Sequence, residues 1–329
     1  MALCPVLLAA DTVSGQSSFL RDISPGKYEG IIVRFSGDAL AANTFVITDL
    51  GRIRLTEAGR DIVAADADNL RFMNTLYGGN SRMIATAGSF SSATILMPRG
   101  FGDNNVHQII ESDQAQVQIQ FGAAFTTHFT GADAAQIKIY GLVRETGEMT
   151  YNLLIHQIDQ TYGAGTFTLP LRHENVLAIY PVLSDDLARL RVVKDGVEVV
   201  NVQHGITASA PQNQDLAAIS DLLSHSDVPD TANAAPAVLT GFAFNSSMAR
   251  LEIAEPGEIG EFLSDDVTIE TTWVGAATVF EMLVASADFT PTKLRQSKVE
   301  SSSVVQRKIA RKNTLGRGRP VQTLRIAAE

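Results

Sequence analysis

The sharpest hydrophobic period in the chain is two. Residues 114–121 (QAQVQIQF) put Ala115, Val117, Ile119 and Phe121 on one face and glutamines on the other. That is the pattern of a strand with one buried and one wet face. Residues 136–143 (QIKIYGLV) repeat it. Residues 28–37 (YEGIIVRFSG) and 175–183 (NVLAIYPVL) are more continuously apolar and suit buried strands. Further short strands are predicted over 45–50, 53–55, 93–97 (closed by Pro98), 165–171, 188–193, 197–202, 237–244, 248–253 and 267–274. Asp195-Gly196, between Val193 and Val197, is the strongest short hairpin signal. Two stretches carry helical spacing. One lies within 56–76 (Ile62, Val63, Leu70, Met73, Leu76), the other at 215–225 (Leu216, Ile219, Leu222, Leu223) with Asp215 near its start.

Turn signals recur every 8–15 residues, which favours a sandwich or jelly roll over alternating βαβ units. The order of elements also occurs twice. With the strands at 28–35 and 176–183 taken as the first of each series, the turn at Gly51 corresponds in order to that at Gly196, 145 residues on, and the strand end at Gly141 to that at Gly275, 134 residues on. A repeat of that size means a duplicated domain, not a solenoid. The fold class that follows is all-β: two tandem jelly rolls with short inserted helices and a basic C-terminal arm. The domain organisation is an N-terminal arm over 1–18, jelly roll 1 over 19–150, jelly roll 2 over 151–290 and the basic arm over 291–329.

Composition narrows this further. With 329 residues, 45% hydrophobic and 19% charged, the chain can bury substantial cores, and disorder throughout is excluded. The lone Cys4 excludes an intramolecular disulfide framework and a Cys-rich zinc site. No stretch reaches the roughly 18 apolar residues of a spanning helix. The opening MALCPVLLAA lacks a basic n-region and contains Pro5, so it reads as an apolar arm rather than a signal peptide. The net charge of −10 is an average over two unlike parts. Residues 291–329 hold ten Lys/Arg against Glu300 and Glu329, a net of +8, which leaves −18 on the other 290 residues. Within that tail, Arg307, Lys308, Arg311, Lys312, Arg317 and Arg319 are the candidate binding residues. Clustered cations of this kind suit nucleic-acid phosphate, anionic lipid or the acidic body of a neighbouring copy; the alternative is a solvated terminus without a dedicated ligand.

Catalytic patterns are scarce. The chain lacks a G-x-S-x-G elbow, a phosphate-binding G-x-x-x-x-G-K-[ST] loop, H-E-x-x-H, and G-x-G-x-x-G after a strand. His107, His128, His156, His173, His204 and His225 have no metal-ligand spacing and read as surface or satisfied core histidines. Asp185-Asp186, Asp265-Asp266 and the loop Asp103-Asn104-Asn105 read as turns first and cation ligands second. The expectation is therefore no catalytic set, no cofactor and no metal.

The run Tyr28, Glu29, Ile31–Val33, Arg34, Phe35, Ser36, Gly37, then Gly51-Arg52 and Pro98-Arg99, resembles a known family. It is similar to the double jelly-roll major capsid proteins of tailless, membrane-containing bacteriophages, of the corticovirus and autolykivirus types. The resemblance covers roughly residues 20–285 in element order and the first 80 or so at the level of residues. It implies two eight-stranded jelly rolls per subunit, standing side by side. Homotrimers would form pseudo-hexagonal capsomers tiling an icosahedral virion shell around an internal membrane and DNA genome, after synthesis in the host cytoplasm. The implied partners are the protein itself, minor capsid or vertex proteins, and anionic lipid through the basic arm, without a specific nucleic-acid sequence. Loops such as 100–105 and 203–214 are expected at neighbour contacts. The basic extension departs from the family pattern. Two other readings compete: a tandem β-sandwich that binds a receptor or carbohydrate, and a cupin-like enzyme, for which the H-x-H spacing is missing.

Overall fold

The computed structural model describes residues 4–38, 45–76, 83–84, 90–99, 106–130, 134–144, 151–171, 175–182, 186–203, 248, 251–253, 266–275 and 278–288. By its contacts the chain divides into Met1–Asp288 and Phe289–Glu329, and every described residue belongs to the first unit. The predicted helix at 215–225, the predicted strand at 237–244 and the basic arm lie outside the described residues.

The first half contains β1 (Cys4–Thr12), β2 (Ser18–Asp22), β3 (Gly26–Asp38), β4 (Arg52–Glu57) and β5 (Arg60–Asp66). The helix α1 (Ala67–Leu76) follows, then β6 (Met83–Ile84), β7 (Phe90–Pro98), β8 (His107–Ile109), β9 (Gln116–Gln120), α2 (Phe125–His128) and β10 (Gln136–Val143). The second half contains β11 (Asn152–Tyr162), β12 (Gly165–Leu171), β13 (Val176–Pro181), β14 (Leu187–Lys194), β15 (Val197–Gln203), β16 (Leu251–Glu252), β17 (Val267–Trp273) and β18 (Thr278–Asp288).

Pairing gives the same topology twice. With the eight principal strands of each half lettered B to I in chain order, one sheet runs B-I-D-G and the other C-H-E-F. In the first half these are β1-β10-β3-β7 and β2-β9-β4-β5, with β6 added beyond β7 and β8 on the start of β3. In the second they are β11-β18-β13-β16 and β12-β17-β14-β15. Each half is thus a jelly roll. A parallel pairing of β11 with β5, Ile155 opposite Val63 and His156 opposite Ala64, fuses two of these four-stranded sheets into one of eight strands.

Local irregularities repeat with the topology. Both E–F hairpins turn through two consecutive left-handed residues, Ala58 (φ 51) and Gly59 (φ 76), and Asp195 (φ 50) and Gly196 (φ 78). This is the primed turn whose twist matches that of the strands it joins. Each F strand then carries one unpaired residue, Ile62 in β5 and Val199 in β15. Each D strand does likewise, at Glu29 and Leu177. In the E–F region the offset between halves is therefore 137 residues, and it aligns RIRLTEAG (52–59) with RLRVVKDG (189–196).

Several expectations change accordingly. Residues 4–12 are not an arm: they form β1, paired along β10, because their apolar side chains and free backbone complete the B-I-D-G sheet. The helix predicted within 56–76 begins only at Ala67; the residues before it form the β4–β5 hairpin. Residues 47–50 are a 3-10 turn rather than a strand. The partner of Asp195-Gly196 is Ala58-Gly59, not Gly51, and β10 corresponds to β18 rather than to β17. The pattern does not predict β11 and β18 as strands, although Gln116–Gln120 and Gln136–Val143 form strands where alternation predicts them.

The two cores are built from the inward faces. In the first, Phe35, Phe45, Phe121, Phe125 and Phe129 cluster; Phe35 stacks on Phe45 at 4.7 Å and Phe121 on Phe125 at 3.9 Å between centroids. In the second, Val192, Ile269, Phe280 and Met282 are buried around Trp273, which meets Phe280 edge-on at 5.5 Å. The Trp273 indole donates to Thr271 Oγ1 at 2.9 Å, so its polar edge is satisfied inside the core.

Candidate assembly surface

The junction between the rolls shows what this chain uses to hold one roll against another. On β5, Ile62 to Ala65 are four consecutive buried residues, so the strand has no wet face. On β11, Asn152 to Ile155 are likewise buried, and β13 is buried along its whole length. Apart from Asn152, these are the continuous apolar runs expected of strands covered on both faces. Polar groups line the seam. Gln157 Oε1 accepts from the Asp66 backbone N–H at 2.8 Å, and Gln157 Nε2 donates to Asp66 Oδ2 at 2.8 Å. Asn69 of α1 donates to Glu281 of β18 at 2.8 Å, and Arg52 lies 3.7 Å from both Asp66 and Asp159. Arg60 pairs with Asp288.

This seam is acidic. Burial pushes the Asp68 carboxyl above its ordinary value, and Asp66 nearby adds to the effect. Burial likewise raises Glu281, with repulsion from Asp68, Asp159 and Asp66 acting the same way against the Asn69 hydrogen bond. Among the described residues, no group of three or more His, Cys, Asp or Glu side chains is arranged to hold a metal ion.

Among the described residues, the large apolar side chains left in solvent are spread over several elements: Leu20 on β2, Val46, Phe90 on β7, Val274 and Val279 on β18, and two pairs on strand edges. Val6 (45% exposed) and Leu7 (52%) lie on β1, and Val197 (64%) and Val199 (45%) on β15. Among the described strands these are edges, β1 of the first roll's B-I-D-G sheet and β15 of the second roll's C-H-E-F sheet. From Leu7 an apolar row crosses the outer face through Tyr140, Ile32 and Leu96, each directly opposite the next and half-buried. Exposed apolar edges invite pairing with another chain.

A third feature is internal. Arg99, fully buried at the end of β7, donates to Glu57 Oε1 at 2.7 Å. The other oxygen of Glu57 accepts from His107 Nε2 at 2.6 Å, since an ionised carboxylate can only accept. Burial alone would raise the Glu57 carboxyl, but the Arg99 guanidinium and the His107 hydrogen bond hold it below its ordinary value. Burial and then repulsion by Arg99 lower His107, against the pull of Glu57 and Asp113, so its ring is neutral at pH 7. The cluster ties β4, β7 and β8 together at one end of the first roll. Its members are 42 and 8 residues apart in sequence, with no spacing rule to announce them.

Of the residues singled out from sequence, Arg307, Lys308, Arg311, Lys312, Arg317 and Arg319 lie outside the described residues, as do Asp103, Asn104, Asn105, Asp185, Asp265, His173, His204 and His225. Asp195 and Asp266 serve the turn: each accepts a backbone hydrogen bond from the other at 3.0 Å. His128 Nδ1 lies 2.8 Å from Asp49.

Two jelly rolls of one topology, fused side by side, define a double jelly-roll protein. The same fold is found in the major capsid protein P2 from bacteriophage PM2, which aligns with 87% of this chain and 97% of its own at a TM-score of 0.53 and 11% identity. The PBCV-1 virus capsid (TM-score 0.46, 9% identity, 87% of this chain and 93% of that one) and the Faustovirus major capsid protein (0.45, 8%, 88% and 90%) are more distant likenesses. No known protein family and no curated protein matches the chain by sequence.

Proposed function

We propose that this protein is the major capsid protein of a tailless icosahedral virus, located in the virion shell and catalysing nothing. The observation that carries the reading is the paired jelly-roll topology, shared over 87% of the chain with a phage major capsid protein. Its uncovered apolar edges support self-association, because a soluble monomer gains nothing from exposed valines on two separate sheet edges. Three copies would give a six-roll capsomer, and capsomers would tile the shell. The basic residues of the C-terminal arm would face inward, toward the internal membrane, the genome or the acidic body of a neighbour. Minor capsid or vertex proteins would complete the shell.

Purified protein tests this directly. Native mass spectrometry is expected to give trimers at micromolar concentration, and electron micrographs of the assembly pseudo-hexagonal particles. Monomers alone would refute the reading. The arm has its own test: on intact particles, protease should clip residues 291–329 much more slowly than on free subunits.

A further inference from the structure

We infer that the joint between the two rolls is a proton-operated clasp: carboxylates from both rolls repel one another across it at neutral pH, and their protonation tightens it. The inference goes beyond the capsid reading and rests on the geometry of the seam alone.

Four acids meet where the rolls join. Asp66 ends β5 and Asp68 lies in the first turn of α1, while Asp159 of β11 and Glu281 of β18 stand on the second roll's side. Gln157 measures how close they come, since its single Nε2 donates to Asp66 Oδ2 and to Asp159 Oδ1, each at 2.8 Å. One amide nitrogen thus ties together carboxylates of different rolls. Asp159 also lies directly opposite Glu281 in the β11–β18 ladder, where like charges destabilise a sheet.

The cations do not balance this set. Arg52 of β4 lies 3.7 Å from both Asp66 and Asp159, and Arg71 of α1 attracts Asp68. The remaining contacts are neutral: the Asn69 amide donates to Glu281 Oε2 at 2.8 Å, and the Asn69 backbone N–H to Asp68 Oδ1 at 2.9 Å. Two guanidinium groups therefore face four carboxylates. Arg60 and Asp288 pair at the other end of the seam. Asp288 is seven residues from Glu281 along β18, roughly 23 Å away and beyond a screening length of about 10 Å.

Burial first and neighbouring carboxylates second hold Asp68 and Glu281 above their ordinary values. Each therefore takes up its proton at a higher pH in the folded state than in the unfolded chain. The penalty is present at neutral pH and disappears as the pH falls through the raised values, fully so below 4.5 for Glu281 and below 3.8 for Asp68. A protonated carboxyl also gains an O–H donor, which lets one member of the Asp159–Glu281 pair bond the other instead of repelling it.

Carboxylate-to-amide variants test this, because they remove the charge and keep the acceptor. Glu281→Gln still offers Asn69 an oxygen, and Asp68→Asn still accepts from the Asn69 backbone. At pH 8 each is expected to lower the unfolding equilibrium constant about 1.5- to fivefold relative to the parent, the range for relieving facing like charges. At pH 4 the gain should be lost, because the parent then carries the proton itself. Comparing variant with parent at each pH cancels the titration of His107 and Glu57. The double variant should gain less than the sum of the two, since both relieve one repulsion. At pH 7, amide exchange at Ile155 and His156, the β11 residues registered across the joint, should be slower in Glu281→Gln than in the parent. If one variant fails to fold, the other carries the same prediction. A gain equal at pH 8 and pH 4, a loss at pH 8, or unchanged exchange at both amides would overturn the inference.

Discussion

β5 and β15 occupy the same place in two rolls of one topology, yet read RDIVAAD and VEVVNVQ. β5 is closed between its own core and the second roll, and at its centre it carries Ala64 and Ala65, small enough for a neighbouring sheet to approach. β15 begins with valines at 197, 199 and 200, interleaved with Glu198 and Asn201, which bond Arg191 and Arg189 at its surface. The first is a strand finished by its own chain; the second remains apolar where a monomer would be served better by charge. The proposed self-assembly would cover β15, and the comparison can be attacked from either side.

The largest effect should come from an end of the first roll that the second does not copy. Glu57 corresponds to Lys194, which is only half-buried and whose amine reaches the Ile253 carbonyl at 3.5 Å. Arg99→Met strands the Glu57 carboxylate in the interior and is expected to cost about 3–5 kcal/mol in urea unfolding. Lys194→Met should cost under about 1 kcal/mol, as for a change near the surface. Equal losses would show that the two rolls are held alike at this end.

Next comes the comparison of the F strands themselves. Ile62→Ala opens a cavity at the internal junction and should destabilise the subunit by about 2–5 kcal/mol. Val199→Ala should change subunit stability by no more than about 0.5 kcal/mol, since its side chain has no core to leave. Trimer dissociation should follow the opposite order of sensitivity per atom removed. A Val199→Ala variant that unfolds as readily as Ile62→Ala would mean that β15 is already covered within the chain.

The turns give a smaller, symmetrical test. An added Cβ at Gly59 or at Gly196 meets no atom within 4 Å, so the left-handed backbone alone sets the penalty. Each Gly→Ala change should cost about 1–2 kcal/mol, and the two should agree. Unequal costs in thermal unfolding would separate turns that the backbone angles make equivalent.

Much of this comparison is written in the sequence, though not where alternation is strongest. β9 and β10 are legible because one face is wet, which forces a period of two. β11 and β5 are not, because cover on both faces removes the polar positions that mark a period. β5 reads as helix for a related reason: Ile62, Val63, Leu70 and Met73 belong to two elements whose apolar residues happen to fall at helical spacing. The Asp195-Gly196 hairpin is plain, whereas its twin is masked by Ala58 in a left-handed position that sequence rules assign to Asn, Asp or Gly. The repeat was nonetheless available in R-x-R at 52–54 and 189–191, each followed by a glycine five residues on. The Glu57–Arg99–His107 cluster was not, since only the closure of the roll brings those three together.

The smallest effect expected is a slope in pH, and it too should belong to the first roll. His107 is held below its ordinary value of 6.5 by burial and by Arg99, and Glu57 below 4.5 by Arg99 and His107 against burial. For both groups the folded state takes up its proton later than the unfolded chain does. Their stabilising contribution is therefore complete above pH 6.5, declines as the pH falls below 6.5 through His107, and declines again below 4.5 through Glu57. Urea midpoints measured at pH 8, 6 and 5 should fall in that order. His107→Gln keeps a donor in reach of Glu57 but has no proton to gain, so it should flatten the step between pH 6.5 and 5 while leaving the decline below 4.5. A midpoint that rises on acidification would show that the seam between the rolls, where Asp68 and Glu281 are relieved by protonation, governs acid stability instead, whereas a His107→Gln variant with the same falling slope as the parent would assign the decline to groups other than His107.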